Sequence, residues 1–182
     1  MRPDYGMGQD RMWRKQYGIE HKIFVQAPPE SVWRHVTEVD IASFRHPAYF
    51  SLLGIPKPLR AEITKSGVGG RRVAYFDNGR TFTQEITVWQ PPMQYDITFQ
   101  ADPGFRAGYL LDLSDGPFQM VSGSYRMVLA ETGVAVRLAS QYELRGFFGW
   151  CLYLPVRVVL DLFQRYLLRG IKVNAERDAA HA

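Results

Sequence analysis

A single cysteine, Cys151, occurs among the 182 residues. No intramolecular disulfide can form, and this usage fits a reducing compartment, so a cytoplasmic location is the expectation. Histidine is also scarce, at four residues, and no HxH, HxxxH or CxxC spacing occurs. His35 and His46 stand eleven positions apart across an expected helix break, and His21 belongs to another element. Metal sites draw their ligands from tight spacings on shared elements, so neither a metal nor a cofactor is expected. Charge of one sign is not in excess either: 22 Lys and Arg face 18 Asp and Glu, for a net +4. The densest basic stretch, Arg11, Arg14 and Lys15, is broken by aromatics, and no basic stripe marks an ordered element, so nucleic acid is not an expected partner.

Long apolar runs are missing as well. The strongest, Phe147 to Leu160, is interrupted by Gly149, Pro155 and Arg157, short of the roughly 20 residues that a membrane span requires. No basic region followed by an apolar stretch opens the chain, so a secretory signal is not expected. Gly67-Val68-Gly69-Gly70 lacks the Lys-Ser/Thr ending of a phosphate loop and leads into a strand, which makes it a hairpin turn.

What the chain does have is alternation. With 46% hydrophobic and 14% aromatic residues it can bury one sizeable core. A loose arm is expected over residues 1–17, followed by one domain over 18–178. Phe105, Ala107, Tyr109, Leu111 and Leu113 alternate with polar or small residues; so do Val121, Gly123, Tyr125, Met127 and Leu129, and so do Val134, Val136, Leu138, Ser140, Tyr142 and Leu144. A period of two puts each set on one face of a pleated sheet, which predicts half-buried antiparallel strands. Earlier strands follow the rule through Ile19-His21-Ile23-Val25, Leu59-Ala61-Ile63, Val73-Tyr75, Phe82-Gln84-Ile86-Val88 and Tyr95-Ile97-Phe99. Five tyrosines then face inward: Tyr75, Tyr95, Tyr109, Tyr125 and Tyr142. Each buried phenol needs a hydrogen-bond partner, so several of them suggest a sheet curved around a cavity rather than a solid core.

Helices frame this sheet. Pro28-Pro29-Glu30 ends the first strand and presets a helix start, with Val32, Trp33 and Val36 at helical spacing. Phe44, Tyr49, Phe50, Leu52 and Leu53 predict a second short helix, closed by Gly54 and Pro56. A long helix is predicted from Pro155 to about Arg177, roughly 34 Å. Its apolar stripe is Val156, Val159, Leu160, Phe163, Leu167 and Ile171, with Arg157, Asp161, Gln164 and Arg165 on the other side.

This order, with Ala27-Pro28-Pro29-Glu30-Ser31-Val32-Trp33 after the first strand, resembles the START-like superfamily of helix-grip proteins, also called SRPBCC domains. Gly67-Val68-Gly69-Gly70-Arg71, Phe82 to Trp89 running into Pro91-Pro92, and the terminal amphipathic helix are similar to its polyketide cyclase/dehydrase and lipid-transport branch. The resemblance implies an α+β helix-grip fold: a curved antiparallel sheet of six or seven strands wrapped around a long C-terminal helix, with two short helices closing one end. It also implies an internal apolar cavity between sheet and helix, but no universal catalytic set. One such scaffold hosts many functions.

The candidate cavity residues are Tyr75, Gln84, Tyr95, Tyr109, Tyr125, Ser140, Tyr142, Phe163 and Leu167. Gln84 is the odd polar residue on its strand face, either a ligand-orienting amide or a satisfied buried one. Glu85 faces outward with Thr83 and Thr87 unless a bulge before Trp89 reverses the register. His46, expected near the cavity mouth, is either a proton shuttle or a surface residue at a helix end. Phe147, Phe148, Trp150 and Tyr153 form either a packed loop or an aromatic lip, with Arg145 and Arg157 placed for anionic headgroups in peripheral membrane contact. Three functional classes follow. The first is a protein that binds or carries a hydrophobic small molecule such as a lipid, isoprenoid or polyketide-like aromatic. The second is a cyclase, dehydratase or hydrolase acting on an apolar ketone or ester. The third is a protein-interaction module. The inward faces carry no cluster of His, Asp or Glu, which favours binding over catalysis.

Overall fold

The computed structural model describes residues 14–42, 44–107, 111–114, 116–146 and 149–181. Strand β1 (Arg14–Val25) leads into two short helices, α1 (Pro29–Thr37) and α2 (Ala48–Leu52). Strands β2 (Pro58–Lys65), β3 (Arg71–Phe76), β4 (Thr81–Gln90) and β5 (Gln94–Ala101) follow as a meander. Two-residue strands β6 (Arg106–Ala107) and β7 (Leu111–Asp112) precede the long β8 (Phe118–Ala130) and β9 (Gly133–Arg145), and α3 (Gly149–Ala180) closes the described chain. The seven longer strands make one antiparallel sheet in the order β1-β9-β8-β5-β4-β3-β2. This is the expected curved sheet, long C-terminal helix and pair of short helices, and the fold is of the helix-grip type.

Where the alternation is cleanest, the structure follows it. In β9, Val134, Val136, Leu138, Ser140, Tyr142 and Leu144 are all buried. Helix α1 starts with proline in its first turn and buries Val32 and Val36, as expected from a preset φ and apolar residues one turn apart.

Five differences have physical causes. β1 begins at Arg14, so residues 14–17 belong to the sheet: they pair with Arg145 to Tyr142, and the long β9 gives them a backbone partner that composition does not reveal. In β3 the inward residues are Arg72, Ala74 and Phe76, not Val73 and Tyr75. Both faces of this strand carry apolar residues, and the pairing of Arg72 with Gln84 settles which one turns in. β4 has an irregularity between Ile86 and Val88, after which Val88 pairs with Asp96 and Trp89 with Tyr95. The bulge moves Trp89 into the core in place of Val88, while Glu85, ahead of it, stays exposed. The alternating run Phe105 to Leu113 is not a strand of the main sheet. Arg106 pairs with Asp112 and Ala107 with Leu111, since the two arms of a hairpin alternate just as one strand does. Finally, α3 starts at Gly149 and carries Pro155 within it.

The core is divided. One cluster, under α1 and the second half of α3, includes Val25, Val36, Ile86, Tyr95, Leu168 and Ile171. The other, at the opposite end, includes Ile19, Phe76, Phe105, Phe118, Tyr142 and Val156. The second half of α3 is tied to the rest by polar contacts. Lys172 donates to the Phe24 carbonyl at 2.7 Å, Asn174 to the Asp40 carbonyl at 2.6 Å, and the Gln26 amide to Glu176 at 2.8 Å. Asp178 takes Arg34 at 2.6 Å and His35 at 2.9 Å. Gly170 marks the closest approach, since a Cβ there would lie 2.5 Å from Ile41 Cγ2.

Candidate functional site

A pocket of about 410 Å³ occupies the gap between the two core clusters. Its walls are apolar: Ile97, Phe99, Leu138 and Phe118 from the sheet, and Leu152, Val156, Val159, Leu160 and Phe163 from α3. Leu53, Ile55 and Pro56 border it after α2. Such volume and lining suit a small apolar ligand.

Two polar stations interrupt these walls. The first is Arg72, 3% exposed although it carries a charge. Its Nε donates to the Thr37 carbonyl at 2.8 Å, Nη1 to Gln84 Oε1 at 2.7 Å, and Nη2 to the Val36 carbonyl at 3.4 Å. Val36 and Thr37 end α1, where unpaired carbonyls concentrate partial negative charge. Three of the five guanidinium N–H groups are thereby engaged. No ion pair to a carboxylate neutralises Arg72 among the described residues. A buried cation without a counter-ion is costly unless something in the site compensates it.

The Tyr95 ring centroid lies 6.0 Å from the Arg72 guanidinium carbon. Burial pushes the Tyr95 phenol up to about 12, against the pull of Arg72. Tyr125 is raised for the same reason, with Arg72 again opposing. The second station is Ser140 with Gln164, whose amide nitrogen donates to Ser140 Oγ at 2.8 Å.

The structure sorts the sequence-predicted residues into three groups. Gln84, Tyr125, Ser140, Phe163 and Leu167 are brought together on the pocket wall. Gln84 is engaged by Arg72, which makes it a buried amide with a partner that also faces the pocket. Tyr95 and Tyr142 are fully buried away from it. Tyr95 packs against Trp33, Trp89 and Tyr125, and Tyr142 against Tyr17 and Phe118. Burial also raises the Tyr142 phenol, with neighbouring Tyr153 adding to it and Arg157 opposing. Tyr75 is turned to the outer face, where Arg60 covers its ring at 4.8 Å. Tyr109, Phe147 and Phe148 lie outside the described residues.

His46 is not on the pocket wall. Its Nε2 lies 3.1 Å from the Ile55 carbonyl and its ring packs on Phe50. Trp150 is exposed at 73%. Among the polar wall residues not foreseen are Arg72 and Gln164, the latter expected on the polar side of the long helix but buried against the pocket. The signal for Arg72 was the inward Gln84 opposite it, because paired residues share a face. The signal for Gln164 was its place four residues after Leu160 within the apolar stripe.

The comparisons with known proteins agree with this architecture. The family profile described as polyketide cyclase/dehydrase and lipid transport matches residues 17–176. The chain belongs to this family. A search of curated proteins gave no match. Among solved structures, the polyketide cyclase/dehydrase and lipid transport chain is similar to the Mll3558 protein from Rhizobium loti, with 12% identity, 89% of this chain and 99% of that one covered, and a TM-score of 0.56. Ara h 8.0201 shares 16% identity, with 92% and 100% covered and a TM-score of 0.55. The di-domain ARO/CYC BexL, from the BE-7585A biosynthetic pathway, shares 14% identity over 88% of this chain and 50% of that one, with a TM-score of 0.58. At such identities the likeness is one of fold.

Proposed function

We propose that the protein binds or carries a hydrophobic small molecule with one acidic oxygen group, such as a fatty acid or a polyketide-like acid, in the pocket between sheet and α3. The observation that carries this reading is Arg72, a guanidinium with uncommitted donors on the wall of a mostly apolar pocket. Apolar walls supply affinity by burial, and the unpaired cation selects the end of the ligand that enters first. A carboxylate would also relieve the cost of an uncompensated buried charge.

The test is calorimetric titration with stearic acid and its methyl ester. The native protein is expected to favour the acid about tenfold or more, the range of a charge-assisted hydrogen bond. Arg72→Met, checked for folding by circular dichroism, should remove that preference and keep ester binding. Failure of both molecules to bind the native protein would overturn the reading.

An enzymatic second reading has one observation in its favour: Arg72 beside Tyr125 would stabilise a developing oxyanion. It lacks an imidazole or carboxylate for proton transfer on the pocket wall among the described residues. This balance supports binding.

We also infer a peripheral contact with anionic membrane. Trp150, Leu154 and Val158 recur one turn apart on α3, exposed at 73%, 67% and 55%. Between Gly149 and Leu160 the helix carries one charge, Arg157, and no carboxylate. Such a face suits a headgroup boundary, and its neighbours Leu152, Pro155, Val156 and Val159 border the pocket. No helix among the described residues is long and apolar enough to cross a membrane.

A further inference from the structure

Gln164 is 3% exposed and Ser140 7%, and both line the pocket. The only hydrogen bond between them runs from the Gln164 amide nitrogen to Ser140 Oγ. Gln164 Oε1 is buried without a partner. The Ser140 hydroxyl, having accepted one bond, still has its own proton to donate. The pair therefore offers one free acceptor and one free donor to the pocket. Reversing the amide does not change this balance. Ser140 would then donate to Oε1, leaving the amide N–H₂ as free donor and the serine oxygen as free acceptor. A ligand hydroxyl both donates and accepts at one atom and so matches this pair.

We propose that Ser140 and Gln164 form a hydroxyl-binding subsite, so that the preferred ligand is a long-chain acid bearing a hydroxyl along its chain. This rests on the ligand-binding reading above and specifies it. Ser140 sits on β9 opposite Gly123, which also lines the pocket and over which Phe99 and Ile97 pack. Arg72 lies on β3, four strands from β9 in the sheet order. Four strand spacings of about 4.8 Å separate the two strands along the sheet, and less across its curve. A carboxylate at Arg72 and a hydroxyl at Gln164 are therefore held at separate stations, a span that a chain of several carbons can cover. An orphaned buried carbonyl costs stability, and a ligand hydroxyl removes that cost where a plain alkyl chain does not.

The experiment compares stearic acid with a mid-chain hydroxystearic acid by calorimetric titration. It uses the native protein and the Gln164→Met/Ser140→Ala double variant. The native protein should bind the hydroxy acid about tenfold more tightly than stearic acid. The double variant, which replaces a half-satisfied polar pair by apolar groups of similar size, should remove this preference or reverse it. Ser140→Ala alone is a milder variant that should narrow the preference. Equal affinities for the two acids in the native protein, or a preference that survives in the double variant, would overturn the subsite and leave the carrier reading standing. Binding of neither acid would instead overturn the carrier reading itself.

Discussion

Replacing Gly170 by alanine tests how α3 is seated on the loop after α1. In isolation the change favours the helix by about 1 kcal/mol, because glycine is the poorer helix former. In place, the new Cβ would stand 2.5 Å from Ile41 Cγ2, where carbon atoms at rest keep about 3.5–4.0 Å. Ile41 is 1% exposed and branched at Cβ, so its methyl cannot swing aside, and the helix must move by about 1 Å or more. Overpacking of this kind costs about 1–3 kcal/mol. The net expectation is a destabilisation of about 1 kcal/mol, or about 3 °C in Tm for a chain of this size. Thermal unfolding of Gly170→Ala, Ile41→Ala and the double variant forms a cycle. The double variant should be more stable than the sum of the singles predicts, by about 1 kcal/mol or more. A rise of Tm in Gly170→Ala with zero coupling to Ile41 would refute the reasoning, because propensity alone would then decide the outcome.

Three further outcomes are expected. Tyr95 keeps its proton up to about pH 12 in the folded chain, whereas an unfolded tyrosine loses it near pH 10. Its contribution is intact below about pH 10 and is lost as pH rises toward 12, at about 1.4 kcal/mol per pH unit. Ultraviolet titration should show this late phenol, and Arg72→Met should delay it further. The carboxyls of Asp178, paired with His35 first and Arg34 second, and of Asp161, bound by Arg165, are held below the usual aspartate range. The stability they add is present above about pH 4 and is lost as acid carries the pH below it. Hydrogen exchange in the last turns of α3 should therefore quicken in acid before that of β9. Sedimentation with phosphatidylglycerol vesicles should capture the native protein, and Trp150→Ser/Leu154→Ser should weaken capture about tenfold or more. Equal capture of the two would dismiss the α3 face as the contact.

Strand identity was legible wherever one face was apolar and the other was not. β9 is the clear case, because each inward residue is apolar, Ser140 or Tyr142, and each outward one is polar or small. β3 was not legible, since Val73 and Tyr75 compete with Ala74 and Phe76, and no local rule places Arg72 inside. Only its pairing with Gln84 does so, and pairing is a property of two strands. The bulge between Ile86 and Val88 is similarly invisible to a period of two, and it moves Trp89 beside Trp33 and Tyr95. The pocket was legible as an apolar space under the long helix, along with Gln84, Tyr125, Ser140, Phe163 and Leu167. Its chemistry was not. Arg72 and Gln164, which engage Gln84 and Ser140 on the wall, are of types that sequence patterns assign to solvent.

The uneven anchoring of α3 separates two properties that ligand carriers often confound. Most of its polar ties run from Lys172 onward, while the turns over the pocket are held by apolar contacts, the Gln164 bond to Ser140 at 2.8 Å, His21 to Asp161 at 2.9 Å, and a long bond from Arg157 to the Gly18 carbonyl at 3.5 Å. For the acid proposed above, the α3 residues bordering the pocket are thus other side chains than Arg72, which would meet its charged end. On that proposal, substitutions at Leu152, Val156 or Val159 are expected to change residence time, and substitutions at Arg72 selectivity. A lineage, or an engineer, can retune how long a guest stays without changing which guest is chosen.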